Sequence, residues 1–193
     1  MTAAFWNIHV RDNILETGPA KVTTAGDIVY ATAANAMARL AIGAEGGKLG
    51  VNAGATAPEW MASPASDYIA TQESTASTSF TDLASSGPAV TITTGTKALV
   101  VMTARATNST ADADTMMSFA VSSATTIAAD EERSHIWDQD GTNSPPRYSA
   151  VIPLGLGGAT GALTAGSNVF TAKYKVTAGT GTWNRREITV IPL

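Results

Sequence analysis

The chain has 193 residues, 44 % of them apolar and 15 % charged, with a net charge of −4 and no cysteine. So much apolar content excludes a disordered chain, the mild negative charge gives no field that draws in phosphate backbones or anionic lipid, and the missing thiols exclude disulfides and thiolate metal sites. Ala, Thr, Ser and Gly crowd the sequence, too many small residues for a helical bundle with a large-residue core, so packing, hydrogen bonding and oligomerisation are left to supply stability.

Phe5, Trp6, Ile8 and Val10 crowd the opening before the chain turns polar at Arg11, Asp12 and Asn13 and breaks at Gly18-Pro19. Residues 1–25 therefore read as an arm docked on its own oligomer or on a partner, with a strand packed on its own domain as the equal alternative. Ala33, Ala36, Met37, Leu40 and Ala41 stand at helical spacing ahead of Gly43, which predicts a short helix over residues 31–42. Residues 46–64 are rich in Gly, Ala and Pro, with Trp60 and Met61 as large side chains, and read as an irregular connector covered by neighbouring subunits.

From about residue 75 the pattern changes to short alternating runs separated by turn residues, the mark of an antiparallel sandwich or barrel. Val90 and Ile92 face inward between Thr91 and Thr93, and the apolar run over residues 98–102 predicts a central strand covered on both faces. Met117, Phe119 and Val121 form the next inward set, followed by Tyr148, Ala150, Ile152 and Leu154. Phe170, Ala172, Tyr174 and Val176 then alternate with outward Thr171, Lys173 and Lys175, and Ile188 and Val190 carry the same period towards the end of the chain. The predicted class is all-β. An arm (residues 1–25) and a small, mostly irregular module with one short helix (26–72) precede a β-sandwich domain (73–193).

Catalytic constellations are thin. His135 stands near Glu131 and Glu132, but HExxH is absent and an exposed turn accounts for them better. Asp138, Asp140 and Asn143 resemble a fragment of a calcium loop whose glycine is misplaced and whose closing glutamate is missing; an Asp-Gly turn fits better. GLGGATG at residues 155–161 lacks the third glycine of a phosphate-binding fingerprint, no GxSxG occurs, and Arg185-Arg186 read as exposed strand charges paired across the sheet. No catalytic residue, cofactor or metal is expected, nor is a nucleic-acid partner. No run approaches the ~20 apolar residues of a spanning helix, so membrane insertion is not expected either.

Two stretches resemble known proteins. GDIVYATAANAMARLAIGAEGGKLGVNAGATAPEW, residues 26–60, is similar to a module found in bacteriophage tail-fibre, head-fibre and other virion proteins, with its Gly-Asp-Ile-Val-Tyr start, Ala-Arg-Leu-Ala-Ile-Gly centre and Thr-Ala-Pro-Glu-Trp end. The remainder, closing on NRREITVIPL, resembles the domain that follows this module in phage structural proteins. The resemblance implies a homotrimeric virion protein with a C-terminal sandwich of jelly-roll type, and it brings no catalytic residue. Relatives that act as fibres carry long upstream shafts; without one, the expectation is a head decoration, cement or head-fibre protein on the capsid exterior. Phe5, Trp6, Ile8 and Val10 would anchor it to the major capsid protein or another virion protein. The alternative is a tail-tip or tail-fibre protein binding a host glycan or protein, with Trp137, Asp138, Asp140 and Tyr148 as its exposed surface beside the loops at 141–146 and 155–166.

Overall fold

The computed structural model describes residues 18–52, 54–137, 147–157 and 161–193, with the backbone alone at Gly18, Pro19, Arg147 and Tyr148. The expected anchor residues Phe5, Trp6, Ile8 and Val10 lie outside the described residues, as do Asp138, Asp140 and Asn143. The chain divides into two compact units, Met1–Met61 and Ala62–Leu193.

In the first unit, the described chain forms a short helix α1 (Gly18–Lys21) and two antiparallel hairpins. One pairs β1 (Ile28–Ala33) with β2 (Ala36–Leu40); the other pairs β3 (Lys48–Val51) with β4 (Pro58–Met61). The helix expected over residues 31–42 is therefore corrected to a strand, a turn and a strand. Asn35 sits at the turn with φ 59°, a left-handed conformation that asparagine tolerates far better than a bulky residue. A lone helix of that length is marginal in water, whereas the hairpin is braced at its open end by hydrogen bonds to the Asp27 carboxylate. The irregular connector expected over residues 46–64 is corrected likewise. Asn52 closes the β3–β4 loop through its Oδ1, which accepts from Thr56 N at 2.8 Å, while its own N–H donates to Ala57 O at 2.9 Å.

The second unit contains β5 (Ala65–Ile69), β6 (Glu73–Thr75), β7 (Ala89–Thr94), β8 (Ala98–Asn108), β9 (Thr115–Ser123), β10 (His135–Trp137), β11 (Arg147–Leu154), β12 (Gly166–Val176) and β13 (Gly181–Pro192). Because β5 pairs with β13, residues from Ala65 onward belong to the sandwich, which begins earlier than residue 73. One sheet runs β11-β8-β13-β5, with β6 also on β13; the other runs β10-β9-β12-β7. The antiparallel pairs nest from the outside in: β5 with β13, β7 with β12, β8 with β11 and β9 with β10. That is the connectivity of one long hairpin rolled onto itself, an eight-stranded jelly roll with β6 as an addition.

The core between the sheets follows the period-two pattern. Val90, Ile92, Phe119, Phe170, Tyr174 and Ile188 are buried, each large aliphatic or aromatic side chain contributing about 1.5–3 kcal/mol relative to exposure. The rings of Phe119 and Phe170 lie 6.1 Å apart in a tilted arrangement. β8 is central, as expected, but Leu99 and Val101 on its outer side are only half-buried, so the strand is fully covered on one face alone. Buried Asn168 ties three segments: Nδ2 donates to Thr94 Oγ1 at 2.9 Å and to Thr164 O at 3.0 Å, and Oδ1 accepts from Thr125 N at 2.9 Å. Both its oxygen and its nitrogen are engaged by other segments, which makes burial of the amide tolerable.

A charged pair sits inside the same unit and overturns the expectation that Arg186 is an exposed strand charge. Its side chain is fully buried, 3.0 Å from the Glu73 carboxylate. The cause is a β-bulge: the β13–β8 register shifts between Asn184 and Glu187, with Arg185 at φ 50°. The extra residue moves the alternation by one place, turning Arg186 inward and Arg185 out.

Candidate assembly surface

The described residues of the first unit include no buried hydrophobic residue, so local devices hold them in place of an apolar core. The first is centred on Asp27, which accepts from Thr23 N at 3.0 Å, Thr24 N at 2.8 Å, Ile42 N at 3.3 Å and Arg39 Nη1 at 3.0 Å. One carboxylate thus joins the turn before β1 to both β2 and the segment after it. Loss of hydration raises the Asp27 pKa, but the amides of Thr23 and Thr24 and the Arg39 guanidinium outweigh it and hold the group at about 2. The second device is Trp60, whose indole N–H donates to Ala41 O at 2.6 Å. Its ring lies so close over Gly43 that a Cβ there would stand 2.5 Å from it. A third is Gly26, at φ 89°, where an added Cβ would come within 2.7 Å of Ile42; only glycine meets both demands.

The Asp27 value sets a pH dependence with a definite sign. The folded pKa lies below the ordinary 3.8, so the folded carboxylate binds protons less readily than the unfolded one. Its stabilisation is fully present above that ordinary value and is lost as pH falls towards about 2. Hydrogen-exchange protection of the Thr23, Thr24 and Ile42 amides is expected to fall between about pH 4 and pH 2 and to hold steady above that range.

Held in this way, the unit leaves its apolar side chains in water. Of the ten large hydrophobic residues exposed among the described residues, five belong to it: Val22, Met37, Ile42, Leu49 and Val51. Val51, at 65 %, is the most exposed of the ten. Half of these exposed apolar side chains thus fall in the unit whose described residues form no apolar core, which makes this unit the candidate site for assembly rather than chemistry.

In the sandwich, Glu131 and Glu132 line an open groove of about 730 Å³ together with Thr78, Ser79, Phe80, Asp130 and Lys175. Three of its four lining charges are paired: Lys175 pairs with Glu131 and lies 5.6 Å from the Phe80 ring centroid, and Asp130 pairs with Arg133. His135 is not among the lining residues; it is half-buried on β10, and burial pushes its imidazole below the usual value. Among the described residues no group of three or more His, Cys, Asp or Glu could hold a metal ion.

Of the residues expected to form an exposed binding surface, Trp137 is 5 % exposed and belongs to the hydrophobic core. Its ring meets the His135 ring edge-on with centroids 4.0 Å apart. Trp137 is thereby corrected from a surface contact to a packing residue. Tyr148 lies on β11, opposite Ala104 of β8. Asp27, Arg39 and Trp60 had no individual role in the sequence reading, and Gly43 entered it as the stop of the expected helix.

No protein-family profile matches the chain, and no curated protein matches it in sequence. Among solved structures, it is similar to the Eiger TNF of S. frugiperda, with 13 % identity and a TM-score of 0.39, over 66 % of this chain and 91 % of that one. It is also similar to a chain from the structure of infectious bursal disease virus, Gt strain, with 14 % identity and a TM-score of 0.39, over 81 % of this chain and 38 % of that one. The jelly-roll assignment rests on the strand order itself.

Proposed function

We propose that this chain is a structural, non-enzymatic component of a bacteriophage particle: a homotrimeric capsid decoration or head-fibre protein that the N-terminal region attaches to the major capsid protein or to another virion protein. The observation that carries the reading is the contrast between the units. The jelly roll closes its own core, whereas residues 20–61 show no buried hydrophobic residue among those described and leave Val22, Met37, Ile42, Leu49 and Val51 exposed. Two hairpins without a core are marginal alone, and covering their apolar side chains in an assembly supplies the missing burial. The likeness of residues 26–60 to the phage virion module adds the setting. Within that stretch, Gly26-Asp27, Arg39, Ile42-Gly43 and Trp60 are the groups that brace the unit, which supports reading it as one module.

Immunogold labelling of intact virions tests the reading. Label over the heads is the expected result. Label confined to the tails would replace it with a tail-tip or tail-fibre receptor-binding role, and particles without label would remove the virion assignment altogether.

A further inference from the structure

Between β5 and β7 the chain passes from one sheet of the jelly roll to the other. β6 pairs with β13, with Glu73 opposite Trp183 and Thr75 opposite Gly181. A few residues on, Ser77 O accepts the Val176 amide at 2.9 Å, and Thr81 and Tyr174 exchange backbone hydrogen bonds at 3.0 and 2.9 Å. Residues 70–88 are therefore a strap that joins β13 of one sheet to β12 of the other, with Leu83 set into the core.

One buried side chain holds both ends of the strap. The Arg186 guanidinium lies 3.0 Å from Glu73 and donates to Thr71 O at 3.4 Å near the start, and it donates to Gly87 O at 3.5 Å near the end. Glu73 in turn accepts the Ser85 amide on both carboxylate oxygens at 3.1 Å. Among the described residues, the oxygen partners of Arg186 thus all lie on the strap.

This arrangement depends on one negative charge. Protonating Glu73 would leave a guanidinium with no exposed surface beside a neutral acid, a far larger loss than the same change in water. The other ionisable groups around it are the Tyr174 phenol on β12, which burial keeps neutral, and Asp82 on the strap, paired with Lys173 of β12 at 2.7 Å. Of these, Glu73 and Asp82 titrate in acid, and Glu73 is the one that meets Arg186. No aspartate or glutamate is buried among the described residues of the core, so acid has no comparable group to act on within the sheets.

We propose that the Glu73–Arg186 pair is an acid-released clasp: while Glu73 is ionised it closes the strap of residues 70–88 across both sheets, and its protonation frees the strap while the sheets stay folded. Hydrogen bonding from Ser85, opposed by loss of hydration and aided by Arg186, holds the Glu73 carboxyl below its ordinary 4.5. The clasp is therefore complete above that value and is lost as pH falls below it.

Residue-resolved amide hydrogen exchange of the full-length protein is the test. Protection of the Thr81 and Ser85 amides is expected to fall on the order of tenfold or more between about pH 6 and about pH 3. Protection of the Val121 and Ile127 amides, which bond each other's carbonyls away from the strap, is expected to hold. Glu73→Gln should leave the two strap amides fast at either pH and so remove the step, whereas Asp82→Asn should keep it. A step that persists in Glu73→Gln or vanishes in Asp82→Asn overturns the proposal. So does strap protection in the parent that survives acid, or that is lost together with that of Val121. Should Glu73→Gln not fold, the parent profile and Asp82→Asn still decide between these outcomes.

Discussion

Replacing Arg186 with methionine lowers the stability of the jelly-roll unit by about 3–5 kcal/mol, because it leaves the Glu73 charge without its buried partner. The site is closely built. Arg186 is wholly buried with its guanidinium 3.0 Å from Glu73, and it lies 5.5 Å from the centre of the Tyr174 ring. Tyr174 donates its hydroxyl to Gly87 O at 2.9 Å and packs edge-on against Trp183. Burial pushes the Tyr174 phenol well above its usual value. Glu73 also accepts the Ser85 amide at 3.1 Å. That hydrogen bond, against loss of hydration and with help from Arg186, holds its carboxyl below the usual glutamate range. The pair thus joins β13, β6 and the loop before β7. The measurement is urea unfolding followed by tryptophan fluorescence, with a fall in Tm of about 10 °C as the thermal counterpart. The double variant Arg186→Met, Glu73→Leu recovers most of the loss, because a buried ion pair contributes little beyond what apolar residues of similar size supply. A double variant as unstable as the single one would mean that the arginine acts through packing rather than charge.

In the first unit, Asp27→Ala is expected to unfold the local structure while leaving the second unit intact. The amides of Thr23, Thr24 and Ile42 and the Arg39 guanidinium converge on that carboxylate, and no apolar core among the described residues backs them up. Removing the acceptor strands Arg39 and the Thr23, Thr24 and Ile42 amides together. Cleavage by a protease within residues 18–61 should rise on the order of tenfold or more, because the cost of losing several charge-assisted hydrogen bonds appears directly in the open population. The urea midpoint of the jelly roll should not move. Asp27→Asn keeps the shape and one accepting oxygen but turns an amide NH₂ towards other donors, so its cleavage rate should fall between the two. Equal resistance of Asp27→Ala and the parent would show that something other than this carboxylate holds the hairpins.

How far the site was legible in the sequence depended on the range of the contacts. The resemblance read in residues 26–60 singled out that stretch without saying how it acts. Asp27 and Arg39 are an ordinary acid and base in one dimension, and only the β1–β2 hairpin places them 3.0 Å apart. The hairpin itself was hidden because alanine suits helical spacing while carrying little preference that survives in a short isolated segment. The turn residue Asn35 was the available signal. Trp137 was misjudged for a different reason: a tryptophan followed by Asp, Gln, Asp and Gly reads as the rim of a loop, yet β10 pairs with β9 and brings the ring into the core.

Alternation of apolar and polar residues by itself determined the all-β class and the inward faces of β7, β9, β12 and the end of β13, because a half-buried strand writes its burial pattern with a period of two. It also determined that the first third of the chain is poor in core-forming side chains. Strand order, the pairing of β5 with β13, and the burial of Arg186 were decided only in three dimensions. The reason for the last is physical: Trp183 and Ile188 are both inward but five positions apart, so a strict period of two cannot join them. The bulge that reconciles them is set by pairing with β8, a partner remote in the chain.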